Sequence, residues 1–175
     1  MKYSKRAMRL LAEEAIAELP SSSVEVMTPT GTSFQGVSVA DDNVCLVSII
    51  RAGDALLEAV RDCLPDAKVG KILIQRNEDS AEKEPILYYS KMPPNMAQKS
   101  TNIILCDPML ATGGSAKLAI RTLIEKYHVS PQKIIFANMV RLEYGCPIVS
   151  LNKNFVVPFF HHPTYAMPFY IFVNF

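Results

Sequence analysis

The sequence predicts an α/β domain built on a mainly parallel sheet. Three features carry that expectation. Residues 43–50 (NVCLVSII) and 102–106 (NIILC) are apolar without alternation, as strands covered on both faces are. Segments of helical period lie between the apolar runs. Two runs end abruptly, at Arg51-Ala52-Gly53 and at Asp107. In parallel sheets such carboxyl ends are where ligands bind.

The elements follow in order. Ser4 is placed to cap a helix running to Glu18, with Ala7, Met8, Leu11, Ala15 and Leu19 at helical spacing. Pro20 and the serines after it end that helix. Residues 24–27 and 34–39 read as strands joined by a turn-rich TPTGTSFQG, hence a hairpin. After the strand at 43–50, Asp54 opens a helix to Leu64, and Pro65 stops it. Residues 69–75 form the next strand. Residues 76–85 are polar and charged, which predicts a mobile loop before a strand at 86–90. The strand at 102–106 delivers Asp107, followed by a loop over 108–113, a helix over 114–127 and a strand over 133–139.

Composition bounds the function. In 175 residues, 49% hydrophobic and 20% charged content excludes global disorder. The net charge of +1, without a block of like charges, argues against a nucleic-acid footprint. Of the 35 charged side chains, 34 precede Cys146, and the segment after it carries only Lys153 and eight of the 15 aromatics. That segment, 146–175, belongs to a different compositional class from residues 1–145. Pro158, Pro163 and Pro168 break its uncharged stretch, so it does not read as a membrane span. His161 and His162 have no acid nearby in sequence and read as structural or exposed. Glu13 and Glu14 interrupt the only leader-like run, near the start. Cys45, Cys63, Cys106 and Cys146 lack zinc or disulfide-scaffold spacing. A reduced, cytoplasmic protein is expected.

The chemistry concentrates in NIILCDPMLATGGSAKLAI, residues 102–120. A buried strand brings Asp107 to the sheet edge, and Thr112-Gly113-Gly114-Ser115 then opens a helix. Glycines let backbone N–H groups approach an anion, the two hydroxyls add donors, and the helix start adds partial positive charge. Together these describe a cradle for a phosphomonoester, with Asp107 upstream as acceptor for sugar hydroxyls. Neither common nucleotide fingerprint is present. A bare T-G-G-S is more often an ordinary strand-to-helix turn. Strand, acid, glycines and helix in register weigh toward the cradle, and the whole describes a ribose 5-phosphate site.

These residues carry a resemblance. YSKRAMRLL, TPTG at 28–31, VSIIRAG at 47–53, LPDAKVGKILIQRNED at 64–79 and CDPMLATGGSA at 106–116 occur here in the order found in uracil phosphoribosyltransferases, within the type I phosphoribosyltransferase superfamily. The chain resembles that family over about four-fifths of its length. The resemblance implies a parallel sheet flanked by helices, with a hood that holds the base. It implies transfer of phosphoribose from 5-phosphoribosyl 1-diphosphate to N1 of uracil, giving UMP and diphosphate. It also implies Mg²⁺ bound with the substrate diphosphate, and a homo-oligomer. The family match gives the residues their roles. Ala111, Thr112, Gly113, Gly114 and Ser115 would hold the 5-phosphate, and Asp107 the ribose hydroxyls. Pro108, Met109 and Leu110 belong to the same binding segment, and a proline directly after the acid resembles the uracil branch. Arg51, Ala52 and Gly53 resemble the diphosphate loop. Arg76 resembles the loop arginine that folds over the diphosphate and, with Asp107, is the catalytic candidate. On residues alone, Arg76 reads equally as a solvated charge among Glu78, Asp79, Glu82 and Glu84.

The resemblance stops near Val140. LNKNFVVP at 151–158 resembles the approach to the family's uracil loop, V-P-G-L-G-D-x-G-D-R, but no Gly-Leu-Gly-Asp follows Gly145. The hood is therefore expected to be incomplete. A frame-shifted or alternatively spliced ending is one expectation for this tail. A transferase for another base, or a catalytically inactive phosphoribosyl diphosphate-binding homologue acting as sensor or partner subunit, stands as an alternative to the uracil enzyme.

Overall fold

The computed structural model describes residues 2–77, 84–94, 96, 101–141 and 155–156. Its first helix, α1 (Lys2–Ala17), buries Leu11, Ala12 and Ala15 and leaves Glu13 and Glu14 in solvent. β1 (Ser21–Met27) and β2 (Ser33–Val39) pair antiparallel from Ser21↔Val39 to Met27↔Ser33. Gly31 sits at φ +79 in the turn, a conformation that suits glycine. Around it the Thr28 hydroxyl donates to the Thr32 carbonyl at 2.7 Å. The hairpin starts three residues earlier than sequence pattern suggests, because serines pair in a ladder as well as valines do once a partner strand is present.

A 3-10 turn at Asp41–Asn43 leads into β3 (Val44–Ile50), α2 (Gly53–Cys63) and β4 (Lys68–Arg76). β5 (Pro85–Lys91) returns antiparallel to β4. β6 (Asn102–Cys106), β7 (Met109–Leu110), α3 (Gly114–Glu125), β8 (Ile134–Ala137), β9 (Val140–Arg141) and β10 (Phe155–Val156) complete the described chain. The main sheet runs β10-β8-β6-β3-β4-β5, parallel apart from β5. The expected loop over 108–113 contains β7, which pairs parallel with β9. Of the compositionally distinct tail, only Phe155 and Val156 fall within the described residues, as the edge strand beside β8. Cys146, His161 and His162 lie outside them.

The unalternating strands turn out to have two faces, each with its own helix. Cys45, Val47 and Ile49, with Ile103 and Leu105, pack under α3 against Ala116, Ala119 and Leu123. Val44 and Leu46, with Ile104 and Cys106, pack under α1 and α2 against Leu11, Leu56, Leu57 and Val60. Side chains alternate along a strand, so two covers demand apolar residues at every position. Among the described residues no helix is long and apolar enough to cross a membrane.

The strand order places β4 on one side of β3 and β6 on the other. The chain therefore reverses direction across the sheet between β3 and β6, and the crevice outside their carboxyl ends is the switch point where such sheets bind ligands. Leu105 is fully buried on the α3 face of β6. Leu105→Ala should destabilise the fold by about 2–5 kcal/mol in a denaturant titration.

Candidate active site

Polar turns leave the carboxyl ends of β3 and β6 at this switch point, and of β4 on the other side of β3. The first leaves β3 through Arg51 and Ala52 and starts α2 at Gly53. The Ile50–Arg51 peptide is cis. Arg51 and Ala52 are exposed, whereas Gly53 is buried. A Cβ on Gly53 would stand 2.3 Å from the Cys106 carbonyl oxygen at the end of β6. Only glycine lets the start of α2 lie this close to the neighbouring strand. Ala52 occupies the N-cap position and supplies no side-chain cap. The first-turn N–H groups of α2 are thus free of any side-chain acceptor at the strand edge.

The second turn follows β6. Asp107 is half-buried, and the Met109 N–H donates to its Oδ1 at 3.3 Å. Burial pushes its carboxyl up to about 6, against the opposing pull of that hydrogen bond. Its backbone is tied to the end of β8. The Asp107 N–H donates to the Ala137 carbonyl at 3.1 Å, and Asn138 Nδ2 donates to the Asp107 carbonyl at 2.8 Å. Met109 is exposed, whereas Leu110 is 2% exposed and packs in the α3-side core. Leu110 can therefore face a ligand only through its backbone.

The loop then reaches Ala111, Thr112 and Gly113. Gly113 takes the N-cap position of α3 at φ +78 and, having no side chain, leaves the helix start uncapped. A Cβ on Gly114 would stand 3.2 Å from Pro85 Cγ. The first residue of β5 thus rests on this helix start. Thr112 is exposed, and Ser115 is half-buried in the first turn. Two helices therefore begin at one sheet edge, neither capped by a side chain, with a carboxylate between them.

The third turn is the end of β4. Arg51, Ala52, Gln75, Arg76, Asn77 and Tyr88 line an open cleft of about 790 Å³. The two predicted arginines thus share one cavity. The Asn77 N–H donates to the Glu84 carbonyl at 2.9 Å, closing the base of the charged loop; its segment 78–83 lies outside the described residues. In the first turn of α2, Asp54 Oδ1 accepts from buried Ser48 at 2.5 Å, and Lys71 pairs with the same oxygen. Burial would raise the Asp54 pKa, but the hydrogen bonds from Lys71 and Ser48 outweigh it and hold the carboxyl below its usual value. The thiol of Cys106 is pushed far up by burial, and the nearby Asp107 charge adds to this.

Sequence reasoning singled out Arg51, Arg76, Asp107 and the Thr112-Gly113-Gly114-Ser115 turn, and these share one edge of the sheet. It passed over Gln75, Asn77 and Tyr88 in the cleft, Lys71 paired with Asp54 and Asn138 behind Asp107. Asn138 carried the same signal as Asp107, a polar residue directly after a wholly buried strand. The uncapped start of α2 was also legible in Ala52, which stands where Ser, Thr, Asp or Asn would cap.

The sequence profile of the uracil phosphoribosyltransferase family matches residues 1–155. The chain belongs to the uracil phosphoribosyltransferase family. It is 45% identical over 143 residues to the uracil phosphoribosyltransferase of Lachancea kluyveri, covering 82% of this chain and 63% of that one. The chain thus spans less than two thirds of the length of the curated relatives it matches. The AQ2163 protein of Aquifex aeolicus has the same architecture, with a TM-score of 0.70 at 28% identity over 87% of this chain and 70% of that one. A purine phosphoribosyltransferase of Pyrococcus horikoshii shares the fold at a TM-score of 0.57 and 14% identity, over 90% and 89% of the two chains. The fold is that of the type I phosphoribosyltransferases.

Two predictions arise from this geometry. Gly53→Ala should push α2 off β6 and lower the thermal midpoint, as scanning calorimetry would show. For Asp107 the sign follows from its raised pKa. Between about pH 4 and 6 the folded chain keeps a proton that the unfolded chain has lost, so stability falls as pH rises through that window and stays lower above it. Asp107→Asn should remove that slope and raise stability at pH 7 by about 1–3 kcal/mol, read from denaturation at pH 4.5 and 7.

Proposed function

We propose that this protein is a uracil phosphoribosyltransferase of pyrimidine salvage, converting uracil and 5-phosphoribosyl 1-diphosphate to UMP and diphosphate. The observation that carries the proposal is the pair of uncapped helix starts, at Gly53 and Gly114, on either side of Asp107. The substrate has a phosphate at each end of a ribose, and the site offers an anion-binding helix start for each and an acid for the sugar between.

The residues then divide the work. The first turn of α3, with the Thr112 and Ser115 hydroxyls, binds the 5-phosphate. Asp107 accepts hydrogen bonds from the ribose hydroxyls and fixes the orientation of the ring. The start of α2 and Arg51 receive the diphosphate, and Arg76 approaches it from across the cleft. As the bond from ribose C1 to the diphosphate oxygen breaks, positive charge develops at C1 and negative charge on the leaving group. Arg51 and Arg76 stabilise that negative charge in the transition state. Uracil N1 forms the new bond to C1 and gives up its proton. N1 is a weak nucleophile, so holding the ring in line supplies much of the acceleration.

The donor set suits Mg²⁺ that travels with the substrate. Among the described residues no cluster of three or more His, Cys, Asp or Glu side chains forms a metal cage. Among the described residues Asp107 is a carboxylate at this edge with no lysine partner, and the diphosphate and water would complete the coordination. Bound there, Mg²⁺ would neutralise charge on the departing diphosphate.

The transferase body in this reading is residues 1–145, with Phe155 and Val156 adding an edge strand and 146–175 forming the divergent part. Exposed Val26, Met27, Phe34 and Val37 on the hairpin support a homo-oligomer. The free thiols of Cys45, Cys63 and Cys106 support a reducing, cytoplasmic setting. Since no Gly-Leu-Gly-Asp follows Gly145, base recognition is the part that the assay tests most severely. Purified protein with uracil, phosphoribosyl diphosphate and Mg²⁺ should form UMP. Asp107→Ala should weaken phosphoribosyl diphosphate binding with an unchanged circular-dichroism spectrum. Binding of phosphoribosyl diphosphate without UMP would leave the sensor reading in place of the enzyme.

A further inference from the structure

Asn138 follows β8 and has no part in the transfer described above. It is fully buried. Among the described residues its Oδ1, a buried side-chain acceptor, has no hydrogen-bond partner. Burying an amide with an unmet acceptor is unfavourable. The four residues before it, Ile134, Ile135, Phe136 and Ala137, fill their places with no polar atom to satisfy. What the amide alone supplies is the donor from Nδ2 to the Asp107 carbonyl at 2.8 Å.

That carbonyl belongs to the Asp107–Pro108 peptide, which has no N–H because proline follows. The peptide cannot be fixed by a donor of its own. Asn138 fixes it from one side. The next carbonyl, that of Pro108, accepts from the Met139 and Val140 N–H groups at 3.2 and 3.0 Å. Immediately beyond, Met109 and Leu110 pair with Val140 and Arg141. The loop carrying Asp107 is thus held by the chain that leaves β8, and Asn138 is the side chain in that attachment.

We infer that Asn138 is a positioning residue of the phosphoribosyl site, holding the Asp107–Pro108 peptide so that the Asp107 carboxylate meets the ribose hydroxyls. The inference rests on the phosphoribosyl diphosphate site proposed above. Asn138 acts through Asp107 and touches neither the ligand nor the reacting atoms. Its effect must therefore depend on the sugar. Ribose 5-phosphate engages Asp107, whereas inorganic diphosphate offered without Mg²⁺ engages Arg51, Arg76 and the start of α2.

The test is calorimetric titration of the full chain with each of these two probes. Asn138→Ala should weaken ribose 5-phosphate binding about tenfold, the loss expected from one buried hydrogen bond. Diphosphate binding should change less than about twofold, within the scatter of independent sites. Asn138→Leu keeps about the volume, removes the donor without burying an unmet polar atom and should weaken the sugar ligand as much. It also serves if the alanine variant does not fold. Ile135→Val, a core change on β8, should alter neither affinity. In an Asp107→Ala background the Asn138 substitution should add nothing, as it does for a residue acting only through Asp107. Equal losses for both probes would reduce Asn138 to a general structural role and overturn the inference. So would unchanged binding of both, while the parent's binding left the site itself standing. A parent chain that bound neither probe would bring down the phosphoribosyl reading and this inference with it.

Discussion

The approach of Gly53 to the Cys106 carbonyl is the constraint on which the site depends. The strands β3 and β6 are neighbours in the sheet, but their following segments go to opposite faces, one into α2 and the other toward α3. The crevice between them exists only if α2 begins close against the end of β6. With 2.3 Å between the carbonyl oxygen and any Cβ at position 53, no other residue allows it. That one contact brings the start of α2 beside Asp107, and the loop from Asp107 carries the chain on to the start of α3. Both helix starts lack side-chain caps, so the ends of the sheet present backbone donors on either side of one carboxylate. A phosphorylated sugar with a second anionic end is the shape that this arrangement fits.

Two carboxylates near the switch point are held differently. Asp54 is hydrogen-bonded by Lys71 and Ser48, and those bonds overcome its burial and favour its ionised form. Among the described residues Asp107 has a single 3.3 Å bond from Met109, which burial outweighs. The difference lies in partners: a lysine serves Asp54, while Asp107 waits for donors. Ribose hydroxyls and a divalent cation are donors and charge of the kind that would restore its ionised form. Burial thereby makes Asp107 responsive to a ligand in a way that the satisfied Asp54 is not.

Much of this was legible in the sequence, for a definite reason. A strand covered by helices on both faces must be apolar at every position. The first residue that breaks such a run therefore marks the strand end as well as a change of environment. Arg51 and Asp107 stand out on that ground alone, and the glycines at 53, 113 and 114 follow at once. Asn138 breaks the run of β8 in the same way, but a neutral amide resembles a strand's last residue more than a site. The β7–β9 ladder was illegible because two-residue strands have no period to read. Tyr88 was illegible because β5 is an antiparallel edge strand, and its place beside Arg51 and Arg76 is set by long-range pairing with β4. The partners of Asp54 were hidden for a similar reason. Ser48 and Lys71 are register neighbours in the sheet, 23 positions apart in the chain.

The fold also separates what is fixed from what can vary. In the proposed reading, phosphate and ribose would be met at the switch point itself, through helix-start backbone groups and the Asp107 carboxylate, whose positions the packed sheet determines. Changing them means moving α2, α3 or β6, each of which is anchored in one of the two cores. The chain that follows β8 is attached differently. It reaches the site through Asn138, the Pro108 carbonyl and a two-residue ladder whose Leu110 packs in the α3-side core. In the proposed reading, recognition of the base, where it depends on chain beyond this ladder, would diverge without disturbing the phosphoribosyl cradle. The nearly uncharged, aromatic-rich sequence after Gly145 follows that ladder in the chain. In the proposed reading, a change there would bear on which acceptor is used and leave intact the machinery that holds the donor.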